Sequence, residues 1–300
     1  MVADSSSMKK SKYLTIVLAL GLAAACSKRA SEGTASGSGS SRIETGSGGG
    51  SAVVATPDAA AAETIPPYTP AADVPARIRA AVEAADRSVE DRKLDAGRKP
   101  AEVLAFFKLA PGQKIGELFA GGGYTSELMA RIVGDSGKIY AQNSKEIMDR
   151  FARGPWTARA AKPVMKNVVG VELPPDAPFP PEAKDLDAVI TILNYHDFVW
   201  QKVDRAKLNK LVFDRLKKGG VYGIVDHSAA AGSGTRDCET LHRIDEEVVK
   251  KEVLAAGFKL DGESDLLRHA YDARDWNSSP KAAGEKRGTS DRFTLRFVKP

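Results

Sequence analysis

The chain has 300 residues, 42% of them hydrophobic and 28% charged, with 44 Lys and Arg against 39 Asp and Glu. That balance excludes a polar disordered chain. With no block of five or more like charges, it also offers no electrostatic footprint for nucleic acid. Sustained apolar periodicity begins only near Asp73, so residues 73–300 are expected to form the folded part, a length suited to one α/β domain.

Met8-Lys-Lys-Ser-Lys12 followed by YLTIVLALGLAAA has the build of a secretory signal over residues 1–25: a basic start, an apolar centre, then small residues. Tyr13 to Ala25 is shorter than the roughly 20 residues that a membrane-spanning helix needs. The LAAAC ending at Cys26 resembles a bacterial lipoprotein signal, in which the cysteine is acylated and becomes the new N-terminus. The alternative is ordinary cleavage after Ala-x-Ala with an incidental Cys26. Removal takes Asp4, Lys9, Lys10 and Lys12 away, so the formal +5 of the whole chain overstates how basic the remainder is. Residues 26–72, Gly/Ser-rich and then Ala/Pro-rich, read as a flexible tether. The expectation is an exported chain facing the periplasm, whose membrane contact is a lipid anchor at Cys26. The folded part holds one cysteine, Cys238, which precludes an internal disulfide and reads as a small structural residue rather than a nucleophile.

Asp73 and Pro75 predict a helix running to about Glu90. Arg87, Asp91, Asp95 and Arg98 then crowd together before Pro100 opens a second helix, broken at Pro111-Gly112. A strand at Lys114–Phe119, three glycines and a helix at Thr125–Val133 follow, with Gly134 as the stop. The next strand is Lys138–Asn143, after which Ser144 caps a short helix ending near Gly154-Pro155. A third strand, Asn167–Leu173, leads through a proline-rich loop to Leu186–Leu193, continuously apolar as a central parallel strand should be. Asp204 caps a helix ended by Gly219-Gly220, and a fifth strand, Val221–Asp226, precedes a helix expected at Glu239–Ala256. Two last strands, Phe258–Ser264 and Arg292–Val298, have no helix between them. A parallel neighbour needs a crossover, so this pair is expected to include an antiparallel strand.

The polar strand ends carry the chemistry. Strand four runs out into Asn194-Tyr195-His196-Asp197 and strand five into Asp226-His227-Ser228. In open α/β sheets ligands bind beyond these carboxyl ends, which aims His196 and His227 at the same crevice as the glycines. His242, with Asp245 one turn along in the expected helix, can join them. A histidine oriented by a carboxylate suits proton abstraction near neutral pH. His196 or His227 is therefore the candidate base, Asp197 or Asp226 its orienting acid, and Tyr195 a wall of the substrate pocket. His196, Asp197, Asp226, His227, His242 and Asp245 also offer enough imidazole and carboxylate for a divalent metal, although their spacing is no recognised ligand signature, and the favoured reading uses no metal.

These motifs, DAGRKPAEVLAFF, AGGGYTSEL, LNYHD, VDHSA, TLHRIDEE and DRFTLRFVKP, resemble those of the class I S-adenosylmethionine-dependent methyltransferases, and of a bacterial, often exported group within them. The resemblance spans roughly Arg87 to Pro300. It implies a Rossmann-like, mostly parallel seven-stranded sheet with a C-terminal antiparallel pair and covering N-terminal helices. It further implies S-adenosylmethionine as cofactor and methyl transfer to an acceptor that the sequence does not identify, expected to be a small molecule; the charge pattern argues against a nucleic acid partner. Carried over by position, Glu117, Ala120, Gly121, Gly123, Tyr124, Asn143 and Asn194 would meet the cofactor. Phe119 replaces the first glycine of the class pattern, and Asn143 stands where an acid normally meets the ribose hydroxyls. Asp176, beyond strand three, is a weaker candidate for the adenine edge. A non-catalytic ligand-binding module in the cell envelope is the alternative. A nicotinamide oxidoreductase fits poorly, because the run is Gly-x-Gly-x-x-Ser and the last strand pair is reversed.

Overall fold

The computed structural model of the chain describes residues 68–300. The expected signal segment, Cys26 and the tether as far as residue 67 lie outside the described residues. At its start the described chain docks on a helix. The Tyr68 hydroxyl donates to Glu102 Oε2 (2.7 Å) and accepts from the Ala101 amide (3.0 Å), and the Ala71 amide donates to Glu102 Oε1 (2.8 Å).

The single helix expected from Pro75 to Glu90 is two, α1 (Ala76–Glu83) and α2 (Val89–Arg98). Ser88 makes the restart: its side chain accepts from the Asp91 amide at 3.2 Å, an N-cap overlooked in the sequence. Lys99 then adopts φ 42° and Pro100 begins α3 (Pro100–Phe106), since a residue before proline is pushed out of the helical region.

Seven strands form one sheet: β1 (Lys114–Leu118), β2 (Lys138–Asn143), β3 (Val168–Glu172), β4 (Leu186–Ile192), β5 (Leu216–His227), β6 (Lys259–Ser264) and β7 (Arg292–Val298). Their order is β3-β2-β1-β4-β5-β7-β6, with β7 antiparallel to both β5 and β6 and the other pairs parallel. The reversed strand is the one that the missing crossover demanded. Central β4 is covered on both faces, Leu186 and Val189 lying in one buried cluster and Ala188 and Ile190 in the other. The first cluster gathers Phe198, Leu208, Val212, Val249 and Val253; the second gathers Ile78, Val82, Leu104, Phe107, Leu128 and Ile132.

Helix α4 (Tyr124–Val133) stops at Gly134. Ser144 caps α5 (Lys145–Ile147) by accepting from the Ile147 amide at 3.2 Å, and Asp204 caps α8 (Arg205–Arg215) by accepting from the Lys207 amide at 3.0 Å. Three boundaries differ from expectation. After α5 the chain continues through a π-helical turn, Met148–Ala152, into α6 (Arg153–Ala160) instead of ending at Gly154-Pro155. Pro155 sits near the start of α6, where a missing N–H costs least. Helix α8 ends at Arg215, and Gly219-Gly220 belong to β5, whose register against β4 shifts between the partners of Leu186 and Ala188. Helix α9 (Glu246–Ala255) starts seven residues later than expected, and α7 (Tyr195–Trp200) was not expected. Among the described residues no helix is long and apolar enough to cross a membrane.

Candidate active site at the carboxyl ends of the strands

The loop between β1 and α4 is held from below by two amides. Asn143 Oδ1 accepts from the Gly121 amide (2.8 Å) while its Nδ2 donates to the Gly121 carbonyl (3.1 Å). A carboxylate could make only the first of these bonds, which accounts for an amide at this position. Gln142 Oε1 accepts from the Phe119 amide (3.2 Å) and its Nε2 donates to the Leu173 carbonyl (2.7 Å), tying the loop to the exit of β3. Asn194 Nδ2 donates to the Phe119 and Ile192 carbonyls, at 3.1 and 2.7 Å. Phe119, in the glycine position of the class pattern, keeps the backbone a glycine would take, φ 51°, and packs its ring 5.0 Å from that of Phe198.

The glycines are not equally accessible. A Cβ on Gly123 would lie 2.9 Å from Arg159 Cδ and 3.1 Å from the Trp156 ring, and one on Gly122 would lie 2.9 Å from Pro155. Nothing lies within 4 Å of a Cβ on Gly121. Helix α6 therefore fills the Gly122 and Gly123 side, and of the two glycines expected to admit a ligand only Gly121 is open. Arg159 locks this cover, donating to the Gly122 carbonyl (2.6 Å) and pairing with Asp91 (2.7 Å) and Glu127.

Glu117 is buried and accepts from the Ser126 hydroxyl, beneath the loop rather than above it. Burial pushes its carboxyl up to about 7, against the opposing pull of Ser126 and Arg159. Ala120 is nearly buried and its amide donates to the Gln142 carbonyl (2.9 Å). Tyr124 donates to Asp95 Oδ1 (2.6 Å) and carries the Arg98 guanidinium over its ring at 4.4 Å. Asp176 is half exposed and pairs with Lys207 at 3.4 Å.

The ends of β4 and β5 are a different environment. Asp226, fully buried, accepts from the backbone amides of His196 (2.7 Å) and His227 (2.8 Å), and its Oδ1 accepts from His196 Nδ1 at 2.7 Å. On the opposite edge of the ring, His196 Nε2 lies 3.1 Å from Asp197 Oδ1 and 3.2 Å from His242 Nδ1. Burial works against a charged His196, but the flanking Asp226 and Asp197 carboxylates outweigh it and carry the imidazole up to about 10. Burial likewise raises Asp197, and the His196 charge overrides this to hold its carboxyl well below the usual range. His227 goes the other way: burial, then the positive charges of His196, Arg292 and Arg243, push it well below 6.5. Its Nδ1 is 2.7 Å from the Ser290 hydroxyl. The two rings, 5.9 Å apart between centres, are thus pushed in opposite directions, His196 toward the charged form and His227 toward the neutral one.

Three expectations at these ends are corrected. Tyr195 is wholly buried in the core; its hydroxyl donates to Glu252 (2.9 Å) and accepts from Asn209 (2.7 Å), joining α7 to α8 and α9. His242 is not on a helix but in a turn with φ 52°, which is what swings its ring onto His196. Asp245 caps α9 and accepts from the Gly232 amide (2.7 Å), so it takes no part in the cluster. Cys238 is buried, and burial pushes its thiol up to about 12, in keeping with an inert residue.

A cavity lies beside these groups, between α2, α3, the start of α4 and the ends of β4 and β5. Apolar side chains such as Val103, Leu104 and Leu128 line it, together with Arg98 and Arg292. Among the described residues neither arginine pairs with a carboxylate. Arg292 donates to the Ser290 and Gly288 carbonyls, and burial beside Arg98 brings it down to about 10. Sequence reasoning had Arg98 in view without a role and missed Gln142, Trp156, Arg159, Ser290 and Arg292. Arg159 lay beyond the expected helix end, and nothing local marks the others.

No protein-family model matches the chain, and no curated protein matches its sequence. Solved structures do match. One is a SAM-dependent methyltransferase from Aquifex aeolicus, with 17% identity and a TM-score of 0.50, covering 70% of this chain and 97% of that one. Another belongs to the Haloferax volcanii complex that contains the Trm112 methyltransferase activator, with 15% identity and a TM-score of 0.50, covering 70% and 93%. The fold is that of the class I methyltransferases. In a methyltransferase fold the loop of β1, the ends of β4 and β5 and the cavity between them occupy one continuous edge of the sheet.

Proposed function

We propose that the chain is an S-adenosylmethionine-dependent methyltransferase acting on a small-molecule acceptor. The observation that carries this reading is the class I strand order combined with an open Gly121 just before the N-terminus of α4, where the helix dipole favours an anionic group. When bound, the cofactor supplies an electrophilic methyl group on a sulfonium. Ala120 and Gly121 face it in this proposal, while Glu117, Gly123, Tyr124, Asn143 and Asn194 shape the loop from behind. Because the transfer is an in-line displacement, positioning supplies most of the catalysis. The neutral His227 is the group with a lone pair to take the acceptor's proton. The His196 imidazolium, fixed by Asp226 and Asp197, holds a positive charge beside it. Arg98 and Arg292, without carboxylate partners among the described residues, add positive charge on this side. We propose further that the chain is exported and held at a membrane, facing the periplasm, through a lipid on Cys26.

A second reading keeps the fold as a ligand-binding module without catalysis. The Asn143 amide, spent on Gly121 where a ribose partner was expected, favours it. Calorimetry of the full chain with S-adenosylmethionine and with its demethylated product separates the two. Micromolar binding of both supports the methyltransferase; no binding of either sinks it and leaves the module. In a chain that binds and turns over, His227→Gln is expected to lower kcat by 10²–10⁴-fold, the usual range for a general base, with cofactor affinity unchanged.

A further inference from the structure

Three potential ligand atoms converge where α7 meets the turn before α9: His196 Nε2 (once it gives up its proton), His242 Nδ1 and Asp197 Oδ1. Their separations are 3.2 Å between the two imidazole nitrogens, 3.1 Å from His196 to Asp197 and 3.6 Å from His242 to Asp197. Zinc and similar ions sit about 2.0–2.2 Å from nitrogen and oxygen ligands, which spaces the ligand atoms about 3.0 Å apart at neighbouring octahedral positions and about 3.4 Å apart in a tetrahedron. Two sides of the observed triangle fall within that range and the third, His242 to Asp197, is about 0.2 Å longer; a point about 2.1 Å from all three atoms exists on either side of its plane.

The surroundings are also built as they are around metal-binding histidines. His196 Nδ1–H donates to Asp226 Oδ1 at 2.7 Å, which leaves Nε2 as the nitrogen directed at the other two groups. Asp226 is fixed in turn by two backbone amides, those of His196 and His227. Asp197 is steadied by the Trp200 indole N–H at 2.7 Å. His242 is delivered by a non-glycine residue at φ 52°, a backbone state that persists only where its surroundings enforce it. Here the Ser278 hydroxyl donates to the His242 carbonyl (2.7 Å), and the neighbouring Arg243 is buried and paired with Asp272 (2.7 Å). The His196 side chain is 3% exposed and that of His242 27%, so the group opens to solvent on the His242 side.

We propose that His196, His242 and Asp197 form a binding site for a divalent first-row transition ion of the zinc or iron kind. Two imidazoles and one carboxylate suit such an ion better than magnesium or calcium, which favour all-oxygen shells. Three protein ligands leave coordination positions for water or a substrate oxygen, the arrangement of reactive rather than structural sites. This inference requires neither the cofactor nor the glycine loop; a bound ion takes the place of the His196 Nε2 proton, so the positive charge beside His227 is then the ion's.

The test uses the full chain stripped with a chelator, dialysed and titrated with Co²⁺, followed by its visible absorption and by metal analysis after equilibrium dialysis. One equivalent of Co²⁺, displaced by Zn²⁺, is expected. His242→Ala, with its backbone structure checked by circular dichroism, is expected to abolish stoichiometric binding. Asp226→Asn is expected to weaken binding 10–100-fold, the usual effect of losing the partner of a ligating histidine. Asp197→Asn provides a second direct-ligand variant should His242→Ala misfold. Absence of stoichiometric Co²⁺ in the unmodified chain, or binding unchanged in the folded direct-ligand variants, would overturn the proposal in favour of a hydrogen-bonded charge cluster.

Discussion

At the carboxyl end of β2 the buried polar side chains are amides, Gln142 and Asn143, and their bonds run to backbone groups of the loops that follow β1 and β3. At the carboxyl ends of β4 and β5 they are ionisable: Asp226, His196, Asp197 and His227, joined with His242. The first region spends its polarity on holding a shape. The second concentrates charge in a buried place, and neighbours drive two adjacent imidazoles in opposite directions. Perturbed titratable groups of this kind gather at functional sites and in structural ion-pair networks alike. The glycine loop is thus braced by neutral amides, while the strand ends beside it gather the ionisable groups.

The contrast can be broken most forcefully at Asp226. Asp226→Ala removes the partner of a buried imidazolium and orphans two backbone amides. A loss of about 3–5 kcal/mol is expected in denaturant unfolding, far more than an exposed aspartate such as Asp176 would cost. At the quieter end, Glu117 supplies a pH test. Its carboxyl titrates near 7 in the folded chain against its ordinary 4.5, so the native state binds the extra proton. The resulting stability is fully present below about pH 4.5 and is lost as pH rises through about 7. Glu117→Gln is expected to raise stability at pH 8 by something on the order of 3 kcal/mol while leaving pH 4 almost unchanged, as thermal unfolding at the two pH values would show. The smallest expected effect is also the most pointed. Asn143→Asp keeps the bond from the Gly121 amide but loses the one to its carbonyl, at a cost of about 1–3 kcal/mol. If the loop meets a ribose, the same change should tighten S-adenosylmethionine in calorimetry despite the lower stability.

Much of this architecture is legible in local sequence because local chemistry fixes it. Lys138–Asn143 forms its strand residue for residue, Ser144 and Asp204 cap the helices that follow them, Gly134 stops α4, and the reversed last strand follows from a missing crossover. What escaped depends on partners distant in the chain. Whether Tyr195 faces a pocket or the core depends on Asn209 and Glu252, and nothing near Tyr195 reports them. The π-helical turn at Met148–Ala152 carries the helix past Gly154-Pro155, which otherwise reads as a stop. His242 was placed on the right side of the molecule but on the wrong element, because a positive φ in a histidine has no signature in composition. The amide role of Asn143 was hidden for the same reason, its partner being a backbone group 22 residues earlier.

Cys238 carries a practical consequence. Its sulfur is sealed in the same buried cluster as Tyr195, Val249, Val253 and Phe293, and its thiol is held almost wholly protonated at neutral pH. In a Cys26→Ser chain it would be the sole thiol, able to react with an alkylating reagent only while that part of the interior has come apart. The rate of labelling then becomes a clock for local opening of that part of the interior.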